Sequence, residues 1–169
     1  MPSNCVQLTL WDMEDGNTLI KADSSTAFDR IADYFSVLPD ASNTTYFQSD
    51  KVHGRDYATF NPYGSVNHHT AGPRVGIAPS LGICINGRSG LPGPLCNVHQ
   101  QRNDVVNVVA AGVANHAGRG GWQGMSGNQS VFGLEIEHCG YPDEPFDERR
   151  QDICQRIHEA EVGVYQEGY

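Results

Sequence analysis

The sequence predicts one domain that combines strands and helices, α/β or α+β, with its chemistry carried on loops. Three observations lead there. A chain of 169 residues is long enough to bury a sizeable core without staples. Nineteen glycines and nine prolines require many turns, which disfavours a helical bundle. Apolar residues also recur at two periods in separate segments, near two for strands and near 3.6 for helices.

Val6, Leu8 and Leu10 alternate with Gln7 and Thr9, which predicts a strand, and Asp15-Gly16-Asn17 turns the chain. Thr18-Leu19-Ile20 then returns as a hairpin arm. Ser24-Ser25 supplies an N-cap for a helix with Phe28, Ile31, Ala32 and Phe35 on one face, ended by Pro39. Residues 40 to 64 read as an irregular connection, so 1–60 form an N-terminal hairpin-helix element and 61–169 a second domain. Strand character returns at Ser65 to Thr70, at Leu81 to Ile85 before Asn86-Gly87, and at Val105 to Ala111. The glycine-rich stretch from Gly112 to Gly127 reads as a mobile rim loop. A strand at Val131 to His138 follows, in which Glu135 and Glu137 share one face and Leu134 and Ile136 the other. Asp147 is expected to cap a last helix carrying Ile153, Ile157 and Ala160, with Gly163 as its stop.

The charge of −9 and a pI near 5.0 argue against a nucleic-acid binder, because phosphate contacts need clustered Lys and Arg. No segment reads as a membrane span or a signal peptide, so a product made soluble in a cytosol is expected. Five cysteines without a Cys-x-x-Cys spacing argue against a zinc ribbon and read mostly as small buried hydrophobes. Cys96 and Cys139 leave a thiol hydrolase open.

The residues that suggest a site are His68 and His69 at the end of one strand and the Glu135/Glu137 pair on another. A neutral imidazole can hold a metal ion, and a carboxylate can move protons beside it. His69 points to the face opposite His68, because neighbours in a strand alternate. His116 and Trp122 in the glycine-rich stretch suit contact with a sugar or peptide, and Asn128 suits the turn before the acidic strand.

Three segments resemble the zinc-dependent N-acetylmuramoyl-L-alanine amidases, the family of phage amidase endolysins and peptidoglycan recognition proteins. They are Val66-Asn67-His68-His69-Thr70, the run from Val108 to Gly118 ending in His116-Ala117-Gly118, and the run from Asn128 to Glu137 with its Gly-x-Glu-x-Glu strand. They occur in family order over roughly residues 65 to 162. The resemblance implies an α/β domain, a mixed central β-sheet flanked by helices. It implies hydrolysis of the amide between N-acetylmuramic acid and L-alanine in bacterial peptidoglycan, at the cell wall after release from the host. His68 would be a zinc ligand, Glu135 the catalytic carboxylate, and His116, Trp122 and Asn128 substrate contacts. The family completes its zinc site with a histidine and a Cys or Asp beyond the helix after the acidic strand. No residue here occupies those positions. The expectations are therefore a domain incomplete at its C-terminus and weak or absent zinc, where the complete domain would hold one ion. The rival reading is a peptidoglycan-binding module of the same fold without catalysis.

Overall fold

The computed structural model describes residues 7–10, 44–46, 60, 62–110 and 112–166. The expected hairpin arm at Thr18 to Ile20 and the helix around Phe28 lie outside the described residues, as does most of the N-terminal element. A six-stranded mixed sheet organises the rest. Its strands are β1 (Gln7–Leu10), β2 (Thr44–Tyr46), β3 (Gly64–His69), β6 (Val98–Gln100), β7 (Val106–Val108) and β10 (Phe132–Ile136), in the order β1-β3-β10-β6-β7-β2. β3, β10 and β6 run parallel at its centre, while β1 pairs antiparallel with β3 and β7 antiparallel with β6. The protein is thus α/β with a mixed sheet and flanking helices.

Period-two patterning explains the central strand. Phe132, Leu134 and Ile136 turn to one face and pack with Val98, Val106, Val108 and Phe60, the rings of Phe60 and Phe132 meeting edge-on at 5.1 Å. The long C-terminal helix (Glu148–Gln166) closes this face with Ile153, Cys154 and Ile157. The Asp147 side chain caps it by accepting from the Arg150 N–H at 3.0 Å. Fully burying an Ile such as Ile157 contributes about 1.5–3 kcal/mol. The helix does not stop at Gly163. It continues through that residue to Gln166, because one glycine costs only about 1 kcal/mol in a helix held by packing.

The opposite face carries a smaller cluster of Cys84, Cys96 and Val109, with Leu81 and Ile85 against it. Here the structure corrects the expected strand at Leu81 to Ile85. Leu81–Asn86 is a short helix, α1, followed by α2 (Gly127–Ser130) and the C-terminal helix as α3. A short apolar run carries no period that separates strand from helix. Its ending is local: Gly87 takes φ 77° and sends its N–H back to the Ile83 carbonyl. Residues 40 to 64 are likewise not wholly irregular, since β2 pairs with β7. The expected strand at Val105 to Ala111 shortens to Val106–Val108. Beyond it, the Val109 and Ala110 N–H groups both donate to the Asn97 carbonyl.

The glycine-rich stretch also has structure. β8 (Gly121–Trp122) and β9 (Met125–Ser126) form a hairpin whose two turn residues, Gln123 and Gly124, have φ of 48° and 83°. Two positive φ values are what a type I′ two-residue hairpin turn requires. A second small ribbon pairs β4 (Gly87–Arg88) with β5 (Leu91–Pro92). Among the described residues no helix is long and apolar enough to cross a membrane.

Candidate functional site

The carboxyl ends of parallel strands are where open α/β sheets place their ligands. β3 and β10 put His68 and Glu135 directly opposite each other there, and β6 sets His99 on the far side of Glu135. All three occupy the sheet face away from α3, because Leu134 and Ile136 are committed to the core.

His116 reaches this face from the loop after β7. Its Nδ1 lies 3.1 Å from His68 Nε2, and its Nε2 donates to the Val131 carbonyl at 3.0 Å. The imidazole rests on β10 at Gly133, where an added Cβ would fall 2.3 Å from the His116 Cγ. Asn128 ties down the next residues: its Oδ1 accepts from the Ala117 N–H at 2.8 Å, and its Nδ2 donates to the Gly118 carbonyl at 3.0 Å. His68, His116 and Glu135 are thereby gathered at one place. Asn128 holds the His116 loop from beneath, and both of its amide groups are engaged with backbone. Trp122 contributes backbone to β8, and its side chain is outside the described residues.

The site is electrostatically tuned. Burial, reinforced by the charge of Glu137, pushes the Glu135 carboxyl up to about 7. Among the described residues its Oε2 is buried without a hydrogen-bond partner, so none of them stabilises the ionised form there. Burial, together with the neighbouring His68, brings His116 down to about 4. His68 is lowered as well, by burial and by His69. Both imidazoles are therefore neutral at pH 7, the form that can donate a lone pair.

Glu137, two residues along the same face, has the opposite environment. Its Oε1 accepts from Ser80 Oγ at 2.7 Å and Thr70 Oγ1 at 3.2 Å. Its Oε2 accepts from His99 Nε2 at 2.9 Å and from the Ser80 N–H at 3.2 Å. Burial pushes Glu137 up, but the bonds from His99 and Ser80 outweigh it, so its net displacement is downward. Asn107 completes the chain by donating to His99 Nδ1 at 3.3 Å. Glu137 is thus a saturated structural carboxylate, and Glu135 an unsaturated one.

The thiols do not have a nucleophile's setting. Cys96 is fully buried, and burial raises its thiol well above the usual range, with Cys84 and Glu135 adding to the rise. A reactive cysteine needs the reverse displacement. Cys139 is also buried. It lines a 410 Å³ pocket whose charges are largely paired, Arg74 with Asp143 and Arg102 with Glu144. None of His68, His116 and Glu135 lines that pocket. His69 turns to the other side, its ring 6.0 Å from His138 and against Gly140. His158 lies on α3 beside Glu161.

Asn97 is a supporting residue whose role has little signal in the sequence. Fully buried, it donates to the carbonyls of Ala110 and Gly112 and accepts from the Gly133 N–H, joining β10 to the segment that leads to His116. Its polarity in an apolar run was the available signal, because a buried amide must have its hydrogen bonds met.

Among the described residues no group of three His, Cys, Asp or Glu is arranged to hold a metal ion. Two neutral imidazoles and a carboxylate oxygen are zinc-type donors in chemistry, but they are not arranged as one three-donor group, since the two rings face each other at 3.1 Å. No family model matches the chain, and no curated protein or solved structure matches it.

Proposed function

We propose that this protein is a peptidoglycan hydrolase of the amidase-endolysin type, with an amidase-like fold, cleaving the amide between N-acetylmuramic acid and L-alanine. The observation that carries the reading is the meeting of His68, His116 and Glu135 at the carboxyl ends of β3 and β10. Within it, a single carboxyl near neutrality stands beside two neutral imidazoles.

His68 is the residue that would hold zinc, which when bound supplies an acidified water and polarises a carbonyl. Two nitrogens do not make a complete structural or catalytic zinc site, so the chain's own contribution is argued from its protons. Glu135, with a pKa near 7, takes a proton from the attacking water and can return it to the leaving amide nitrogen. Among the described residues its Oε2 has no hydrogen-bond partner, so its lone pairs are not committed elsewhere. Glu137 keeps its charge throughout and so sustains the high pKa of its neighbour.

The test is incubation with purified peptidoglycan, following new L-alanine amino groups, with and without a chelator and added zinc. Release that the chelator stops and zinc restores supports the amidase. Sedimentation with the wall and no release at any zinc concentration supports the binding module instead. The shortage of a third donor among the described residues keeps that second reading in view.

A further inference from the structure

We propose that His116 is a positioning residue that fixes the tautomer of His68, leaving the His68 lone pair on Nδ1. The argument is one of donors and acceptors. The Val131 carbonyl can only accept, so the proton on His116 sits on Nε2, 3.0 Å away. In a neutral ring Nδ1 is then an acceptor. The group 3.1 Å from it, His68 Nε2, must be the donor. With its one proton on Nε2, the His68 ring presents an unprotonated Nδ1, to which the structure shows no hydrogen bond among the described residues. Metal-binding histidines are commonly set this way, through the hydrogen bond made by the other ring nitrogen.

The fold holds the device from three sides. Gly133 gives the His116 ring its seat on β10, since any Cβ there would collide with it. Asn128 fixes Ala117 and Gly118 just after it. Asn97 ties the Gly133 N–H to the segment that leads into the loop. The loop histidine thus serves the strand histidine rather than the substrate. The identity of Nδ1 as a metal-binding atom rests on the proposed function, whereas the tautomer itself does not.

The experiment reads protons directly. Long-range ¹H–¹⁵N correlation spectra of the metal-free protein at pH 7.5 (about a unit above the ordinary imidazole pKa) should show His68 protonated at Nε2 and bare at Nδ1. His116→Asn places an amide oxygen where Nδ1 stood and should keep that tautomer. His116→Gln keeps a donor for Val131, removes the acceptor, and should let His68 populate both tautomers. Titration with zinc should shift the His68 Nδ1 resonance with Nε2–H retained. His116→Gln should weaken zinc binding by about 10–100-fold, the usual cost of losing such a partner. A wild-type His68 protonated at Nδ1 overturns the proposal, as does a His116→Gln protein whose His68 is unchanged. Zinc bound at His68 Nε2 together with His116 Nδ1 overturns it too. An Nε2–H tautomer with no zinc binding supports the relay and counts against the amidase reading.

Discussion

Glu135 and Glu137 are the same side chain, one on β10 and the other just past its end, and the protein treats them oppositely. Glu137 receives hydrogen bonds from Ser80, Thr70 and His99 and remains charged. Glu135 receives none at Oε2 and is held near pH 7 by burial and its neighbour. That difference assigns the roles of structural anion and proton carrier, and it makes Glu135→Gln informative. Loss of a positioned base should slow amide release by about 10²–10⁴-fold while wall binding persists. Above pH 7, where Glu135 must ionise inside the fold, the neutral amide should make the variant more stable than wild type, as higher urea midpoints at pH 8 would show. Equal rates would reduce Glu135 to a sheet residue. His68→Ala should remove zinc from the metal-supplemented protein, read by metal analysis of dialysed samples, with a small effect on the melting temperature because His68 is only half-buried. Stoichiometric zinc in that variant would place the ion elsewhere.

At the scale of elements, β10 is the spine of the site. One face of it closes the core under α3, and the other carries Gly133, Glu135 and then Glu137. Gly133→Ala tests the arrangement. Its methyl would lie 2.3 Å from the His116 Cγ, so the ring must leave its seat or the strand must shift. A destabilisation of about 1–3 kcal/mol is expected, as for other overpacked sites, with a larger fall in amidolysis than stability alone explains. An unchanged His116 ring environment by NMR would show that the seat is looser than it looks. The strand β10 and the helix α3 were legible in the sequence because their apolar residues recur at a clean period. β3, buried continuously from Gly64 to Asn67, was legible from its residue types and not from a period. β6 was not, for a physical reason. Two of its three residues, His99 and Gln100, are polar and fully buried, and only distant partners pay for that burial: Glu137 for His99, and Arg150 and Cys154 for Gln100. The candidate site was legible in its residue types, His68, His116 and Glu135. What pattern could not give was the hydrogen bond between the two histidines, since it joins residues 48 apart.

For the whole molecule, the site residues shape stability against pH, and their signs differ. Glu135 has its folded pKa raised from 4.5 to about 7, so the folded protein keeps a proton that the unfolded chain releases. Its contribution therefore falls as pH rises through that window. His116 has its folded pKa lowered from 6.5 to about 4, so the unfolded chain takes up a proton that the folded protein refuses. Its contribution falls as pH drops through that range, and the lowered His68 acts in the same direction. Each of the two larger displacements is worth no more than about 3 kcal/mol at full development. Between roughly pH 4.5 and 6.5 they oppose one another, and wild-type stability should be nearly flat. Glu135→Gln removes one side of the balance. The variant should lose stability steadily on acidification from pH 7 to 5, by about 2 kcal/mol, where wild type barely changes. Urea unfolding at half-unit pH steps for both proteins reads this directly. Parallel curves for the two would mean that Glu135 titrates like a solvated carboxylate, and the proton chemistry assigned to it would have no physical basis.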